Sequence, residues 1–234
     1  MKRNRIILDA MGGDNAPHEI IKGAVWACKE SPTLQVVLVG DTDQIRDNLK
    51  EFDIAGLNFE VVHASQSITM KDAPKIAVDE KEDASINVAC RLLANDEGSA
   101  LVSAGNTGAT ILSCAKHLPI IDGVERGALA AIFPAVKNKP GDPGKTVMLD
   151  VGATLHCTPA QLIQFAIMGV HYVNEVMEIE KPRLGLLNIG EEETKGHDVL
   201  IETYSLLKKL EGVNFIGNVE GKDVMSNSLR LSRI

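Results

Sequence analysis

Seven residues, Ser103-Ala104-Gly105-Asn106-Thr107-Gly108-Ala109, join the apolar run Ala100 to Val102 to a helix-compatible run through small side chains that carry hydroxyl or amide groups. Residues of these types suit an anion. Gly105 and Gly108 let the backbone pass close to a ligand, and Asn106 and Thr107 supply side-chain donors. The first turn of the following helix adds N–H groups without intrahelical partners and the positive end of the helix dipole. An ordinary tight turn with a helix cap uses the same residues, so this stretch alone leaves both readings open.

Similar junctions recur. Ile6 to Asp9 runs into Ala10-Met11-Gly12-Gly13-Asp14-Asn15-Ala16-Pro17, where two glycines and an acid follow a strand-like segment and Pro17 suits the first position of a helix. Val147 to Asp150 leads through Val151-Gly152-Ala153-Thr154 to Thr158-Pro159-Ala160-Gln161, a capping-box pattern. The fourth junction is Leu186-Leu187-Asn188-Ile189-Gly190-Glu191-Glu192-Glu193-Thr194-Lys195-Gly196. Loops at the carboxyl ends of strands in an open parallel sheet gather around one crevice, which predicts that these four converge on one ligand. Lys195 is the candidate cation for that ligand, although a solvent-facing ion pair with Glu191 or Glu192 accounts for the same residue. Asp9, Asp14 and Asp150 are candidates to orient donors, and aspartate is also a favoured turn residue whatever the function. The six histidines show neither triad spacing nor an H-E-x-x-H pattern.

The elements that must position these loops follow from periodicity. Strand-like runs lie near 5–9, 35–39, 59–62, 99–102, 129–133, 146–150, 184–189 and 213–216. Helix-like segments alternate with them at Pro17 to Lys29, Thr42 to Lys50, Ala84 to Asn95, Thr107 to His117, Pro159 to Met177 and Val199 to Leu210. This alternation predicts βαβ units and a parallel sheet, hence an α/β protein, with one domain over residues 1–225 and a separate tail at 226–234. Asp41 and Gln44 mark a strand-to-helix turn rather than a nucleotide site, and neither G-x-G-x-x-G nor G-x-x-x-x-G-K-S/T occurs.

With 44% apolar residues in a chain of 234, a sizeable core can be buried. A formal net charge of -8 argues against a nucleic-acid partner, whose phosphates call for a basic face. Lys137 to Lys145 is the clearest basic exception and fits a solvated connector. Cys28, Cys90, Cys114 and Cys157 are scattered, without a C-x-x-C pair or metal-like spacing to histidine, so reduced thiols and no bound metal are expected. The apolar run after Met1-Lys2-Arg3-Asn4-Arg5 is too short for a signal peptide, and no run reaches the roughly 18 apolar residues of a membrane span. A cytoplasmic location is expected, with room for a peripheral membrane contact.

Taken in order, several stretches resemble the PlsX-type phosphate acyltransferases: Leu8 to Pro17, Val102 to Ala109, Leu149-Asp150-Val151-Gly152-Ala153, Gln164-Phe165-Ala166-Ile167-Met168-Gly169, and Leu186 to Gly196. The resemblance runs from near residue 5 to about residue 223. It implies a Rossmann-like α/β/α sandwich with a mostly parallel sheet, a homodimer, and no cofactor. It also implies a reaction in which an acyl carrier protein thioester and inorganic phosphate give acyl phosphate and free carrier protein, feeding the first acylation of glycerol 3-phosphate in bacterial phospholipid synthesis.

That chemistry suits the residues. Phosphate is already anionic at neutral pH, so it attacks a thioester carbonyl without a protein nucleophile, and the enzyme mainly positions and neutralises. A preorganised donor to the tetrahedral oxyanion is commonly worth ~3–4 kcal/mol. The departing thiolate belongs to a thiol of intrinsic pKa near ~8.5, so a dedicated acid is not required. Within the resemblance, Asn106, Lys195 and Asp150 take the catalytic places. Asp9, Gly12, Gly13, Asp14, Gly105, Thr107, Gly108, Gly152, Thr154, Asn188, Gly190 and Glu192 line the phosphate and substrate.

The chain also departs from the pattern. Thr154 stands where asparagine is usual, and His156 stands where aspartate is usual. Asp72 to Asp83 is acidic where the family is typically rich in arginine and lysine, which works against an acidic carrier protein unless a patch such as Lys137 to Lys145 substitutes. Another thioester carrier, or a catalytically silent carrier-binding protein, is therefore an alternative reading. Ser226 to Ile234 does not match the family, whose members are longer, and apolar surface near 199–210 is expected to lack cover.

Overall fold

The computed structural model describes residues 4–137, 144–152, 154 and 156–225. The chain divides into two compact units, residues 1–121 and 122–234. Within the first unit, strands β1 (Arg5–Asp9), β2 (Gln35–Gly40), β3 (Asn58–His63) and β4 (Ala100–Val102) form a sheet of order β3-β2-β1-β4. All of its pairings are parallel, with Ile7 opposite Val37 on one side and Leu101 on the other.

Alternation along the strands sends their apolar residues to two covered faces. Leu8, Val36 and Leu38 pack against α1 (His18–Glu30) and α2 (Thr42–Leu49), while Ile7, Val37 and Val39 pack against Val88 and Ala89 of α4 (Ser85–Ala94). Helix α1 forms because Ile21, Ala24, Val25 and Cys28 make one buried stripe at helical spacing. Each fully buried Ile, Leu or Val contributes ~1.5–3 kcal/mol of transfer free energy, so the two faces together hold the layers. Asp41 caps α2, its side chain accepting from the Gln44 N–H at 2.9 Å.

A helix not foreseen in the alternation, α3 (Pro74–Glu80), lies inside the acidic segment. Its Ala77 and Val78 are buried with Ile86 and Cys90 of α4 and Ala109 of α5 (Thr107–His117). Three acids of that segment are engaged internally: Asp72 with Lys81, Asp79 with Lys116, and Asp83 with Ser65.

In the second unit, β5 (Ala130–Pro134) and β6 (Lys145–Leu149) form an antiparallel pair, whereas β7 (Arg183–Leu187) and β8 (Asn214–Val219) are parallel. Helix α6 (Pro159–Met177) begins with the expected capping box of Thr158 and Gln161 and buries Phe165, Ala166, Gly169, Val170 and Val173. A side chain at Gly169 would reach 2.8 Å from Leu149, so the glycine lets α6 lie directly on β6. Helix α7 (Asp198–Leu207) adds Leu207 to a core of Val147, Leu149, Phe165, Leu184 and Leu186, and a short 3-10 turn follows at Gly221–Asp223. Leu206 and Ile216 are 41% and 37% exposed.

All eight expected strands and six expected helices are present within a few residues of their anticipated ends. Residues 138–143 of the basic loop, Ala153 and the tail at 226–234 lie outside the described residues. No helix among the described residues is long and apolar enough to cross a membrane.

Candidate functional site

In the first unit the loops after β1 and β4 meet around one buried carboxylate. Asp9 is 3% exposed; its Oδ1 accepts from Ser85 Oγ at 2.6 Å and its Oδ2 from Ser103 Oγ at 2.7 Å. Burial pushes the Asp9 carboxyl above its ordinary range, opposed by the two serine hydroxyls and by the N–H groups of Met11 and Gly12. The glycines here serve the convergence of the loops. A side chain at Gly12 would reach 2.5 Å from Asp9 Oδ2, and one at Gly105 would reach 3.1 Å from Gly12 Cα. Gly13, with φ of +123°, passes over the Ala104 carbonyl. Asp14 is exposed.

Asn106 caps α5. Its Oδ1 accepts from the Ala109 N–H at 3.1 Å, and its Nδ2 donates to the carbonyls of Thr69 and Asp72, both at 3.3 Å. Both ends of this amide therefore bind protein, tying the helix entry to the 69–72 turn. A side chain at Gly108 would reach 2.8 Å from Pro74, so this glycine permits α3 to abut α5. Thr107 and Gly108 occupy the first turn, where the helix leaves N–H groups free of intrahelical acceptors.

In the second unit the loop after β6 is organised by Asp150, a non-glycine residue in the left-handed region at φ 55°. Its Oδ1 accepts from Thr154 Oγ1 at 3.3 Å and its Oδ2 from Cys157 Sγ at 3.1 Å. Burial, reinforced by Asp150, pushes the Cys157 thiol up to about 11. Gly152, at φ +103°, has nothing among the described residues within 4 Å of where a side chain would project. His156 is exposed.

The loop after β7 is held by two amides. Asn188, 8% exposed, donates from Nδ2 to the Lys195 carbonyl at 2.9 Å and accepts at Oδ1 from the Ile189 N–H at 2.8 Å. Asn218 donates to the Glu192 carbonyl at 2.8 Å. A side chain at Gly190 would come within 3.0 Å of Glu192 Oε2 and 3.1 Å of Lys195. The Lys195 side chain is 48% exposed and its Nζ lies 4.0 Å from Glu192 Oε2, a long pair at the surface. Glu191, Glu220 and Asp223 bring carboxylate oxygens within 4.8 Å of one another, a donor set of the kind hard cations take. Glu220 also pairs with Lys222, and Asp223 Oδ2 accepts from the Glu220 N–H.

Several residues that shape these loops carry no sequence signal. Ser85 reaches Asp9 across 76 positions, and Asn218 reaches the 188–196 loop from β8. Gln164 was legible only as part of a motif stretch; its amide donates to the Gly123 carbonyl at 3.1 Å and accepts from the Glu125 N–H at 2.8 Å. Arg126, next in the chain, stands in no recognisable pattern.

Proteins named phosphate acyltransferase are similar to this chain along nearly its whole length. That of Oleidesulfovibrio alaskensis is 43% identical over 96% of the chain, and that of Geotalea uraniireducens is 46% identical over 95%. The chain spans 62% of the length of each of these two relatives. Among solved structures, a phosphotransacetylase from Streptococcus pyogenes superposes with a TM-score of 0.68 at 12% identity, covering 99% of this chain and 77% of that one. A branched-chain phosphotransacylase from Enterococcus faecalis gives 0.56 at 15% identity, covering 98% and 78%. At such identities these likenesses establish the α/β fold alone. Residues 4–231 match the family described as fatty acid synthesis protein, and the chain belongs to that family.

Proposed function

We propose that the protein transfers an acyl group from a thioester to inorganic phosphate, releasing acyl phosphate and a free thiol, with acyl carrier protein as the carrier. The observation that carries this reading is the 43–46% identity, spread over 95–96% of the chain, to relatives named for phosphate acyl transfer. The loop geometry supports it. The serines nearest the glycine junction, Ser85 and Ser103, both donate to Asp9, so they hold the loop and leave attack to phosphate itself.

In this mechanism a phosphate oxygen forms the new bond to the thioester carbonyl carbon, and the carbonyl π electrons move onto oxygen. That oxyanion is stabilised by preorganised N–H donors such as the first turn of α5 at Thr107 and Gly108. Collapse breaks the carbon–sulfur bond and expels thiolate. Asn106 acts by holding that helix entry in place. Asp9 does the same for the glycine junction, and Asp150 with Thr154 shapes the second loop. In the second unit, Lys195, weakly tied to Glu192, supplies a loosely held cation at its own loop. Asn188 and Gly190 set the path of its loop, and no cofactor takes part. The same reading expects a homodimer that serves phospholipid synthesis from the cytoplasm, with at most peripheral contact to membrane.

The test is phosphate-dependent thiol release with hydroxylamine trapping of acyl phosphate, run in parallel with acyl carrier protein and coenzyme A thioesters. Trapped hydroxamate with the carrier protein supports the reading, and turnover with coenzyme A alone reassigns the carrier. Carrier binding without any phosphate-dependent release identifies a silent binding protein and ends the proposal.

A further inference from the structure

Arg126 forms no ion pair among the described residues, and its Nε has no hydrogen-bond partner among them. The chain is anchored on both sides of it. Gln164 of α6 pins Gly123 and Glu125 through both ends of its amide, and the Leu129 carbonyl accepts from the Val151 N–H at 3.2 Å in the loop after β6. Arg126 is half-buried between these anchors; its Nε is sealed from solvent and donates to no acceptor among the described residues. Leaving a guanidinium N–H in that state is unfavourable, and an arriving acceptor would relieve it. Its charge reaches Cys157, drawing the thiol down against burial and Asp150, and Cys157 Sγ lies 3.1 Å from Asp150 Oδ2. Arg126 nevertheless forms no ion pair with Asp150 among the described residues. A cation thus stands near the Asp150 loop, whose Gly152 has no described residue within 4 Å of where a side chain would project.

We infer that Arg126 receives a phosphoryl oxyanion at the loop of Asp150, Gly152 and Thr154. The planar guanidinium suits such a group because it offers parallel N–H donors to two oxygens. The inference rests on the proposed phosphate acyl transfer. Inorganic phosphate and the phosphodiester of a thioester carrier's prosthetic arm present the same oxyanion.

The test measures KM for phosphate and for the thioester separately in the wild-type protein, Arg126→Gln and Arg126→Lys. Loss of a hydrogen-bonded charge pair raises KM roughly 10- to 100-fold, with partial recovery in the lysine variant. A rise confined to phosphate assigns the inorganic anion, and one confined to the thioester assigns the carrier's phosphodiester. Phenylglyoxal labelling of the wild-type protein keeps the test independent of variant folding: phosphate or carrier protects Arg126, read by peptide mass mapping. Unchanged KM values in a folded Arg126→Gln, or labelling of Arg126 indifferent to both ligands, overturns the inference. A wild-type protein without phosphate-dependent turnover overturns the functional reading instead.

Discussion

Ser85 Oγ donates to Asp9 Oδ1 at 2.6 Å, joining the first residue of α4 to the last residue of β1. The bond is buried, and Ser103 occupies the other carboxylate oxygen at 2.7 Å. The carboxylate is therefore the post on which the glycine junction of the first unit is built.

Replacing Asp9 with alanine takes the acceptor from the buried Ser85 hydroxyl and from the partly buried Ser103 hydroxyl. Removing a charged acceptor from one such bond costs about 1.5–3 kcal/mol, and Asp9→Asn, which keeps one oxygen, should lose less. Urea unfolding of both variants checks this. Wild-type stability in Asp9→Ala would refute the structural role assigned to the carboxylate.

The glycines separate into two kinds. At Gly12 an added Cβ lies 2.5 Å from Asp9 Oδ2, and at Gly108 it lies 2.8 Å from Pro74. Alanine at either forces a loop or helix to move, with loss of stability. Gly23, in the middle of α1, has nothing within 4 Å of an added Cβ, and Gly23→Ala should stabilise by about 0.5–1 kcal/mol through helix propensity. Thermal melts of the three variants should move in opposite directions, Gly23→Ala upward and the other two downward.

How much of this was legible in the sequence depended on range. The strands showed because apolar alternation and turn residues are local, and so did the caps at Asp41, Asn106 and Thr158, whose partners lie three residues away. Helix α3 did not, because it has only seven residues, and its buried Ala77 and Val78 sit among acids. Their burial comes from α4 and α5, which no local pattern announces. The site divides in the same way. The glycine loops were visible as motifs, but the service of Gly12 and Gly105 to Asp9, and of Gly108 to Pro74, is a tertiary fact. Arg126 has meaning only through Gln164 and the Asp150 loop.

Lys195 offers a clean separation of stability from function. Its pairing with Glu192 is long and its side chain half-exposed, so Lys195→Met should alter unfolding free energy by less than about 0.5 kcal/mol. If its ammonium neutralises the developing charge, phosphate-dependent turnover falls about tenfold or more, as for loss of one charge-assisted contact. Equal turnover in Lys195→Met and wild type, measured by hydroxylamine trapping, leaves it as a surface ion-pair residue.

Acid should loosen the 69–83 region. Asp72 accepts from Lys81 Nζ at 2.8 Å, from the Thr69 N–H at 2.6 Å and from Thr69 Oγ1 at 2.9 Å, which together hold its carboxyl down to about 2 from an ordinary 3.8. A carboxyl depressed in the folded state contributes stability that is present above its unfolded pKa and disappears as pH falls through the folded one. Its share is thus intact above pH 3.8 and lost on approach to pH 2. Asp83, held down by Ser65, contributes in the same direction. Asp72→Asn removes the titrating group, so its stability should decline less steeply with acid over that window than the wild type's. Denaturant midpoints at a series of pH values compare the two slopes, and identical slopes would show that the Lys81 and Thr69 contacts do not persist in solution.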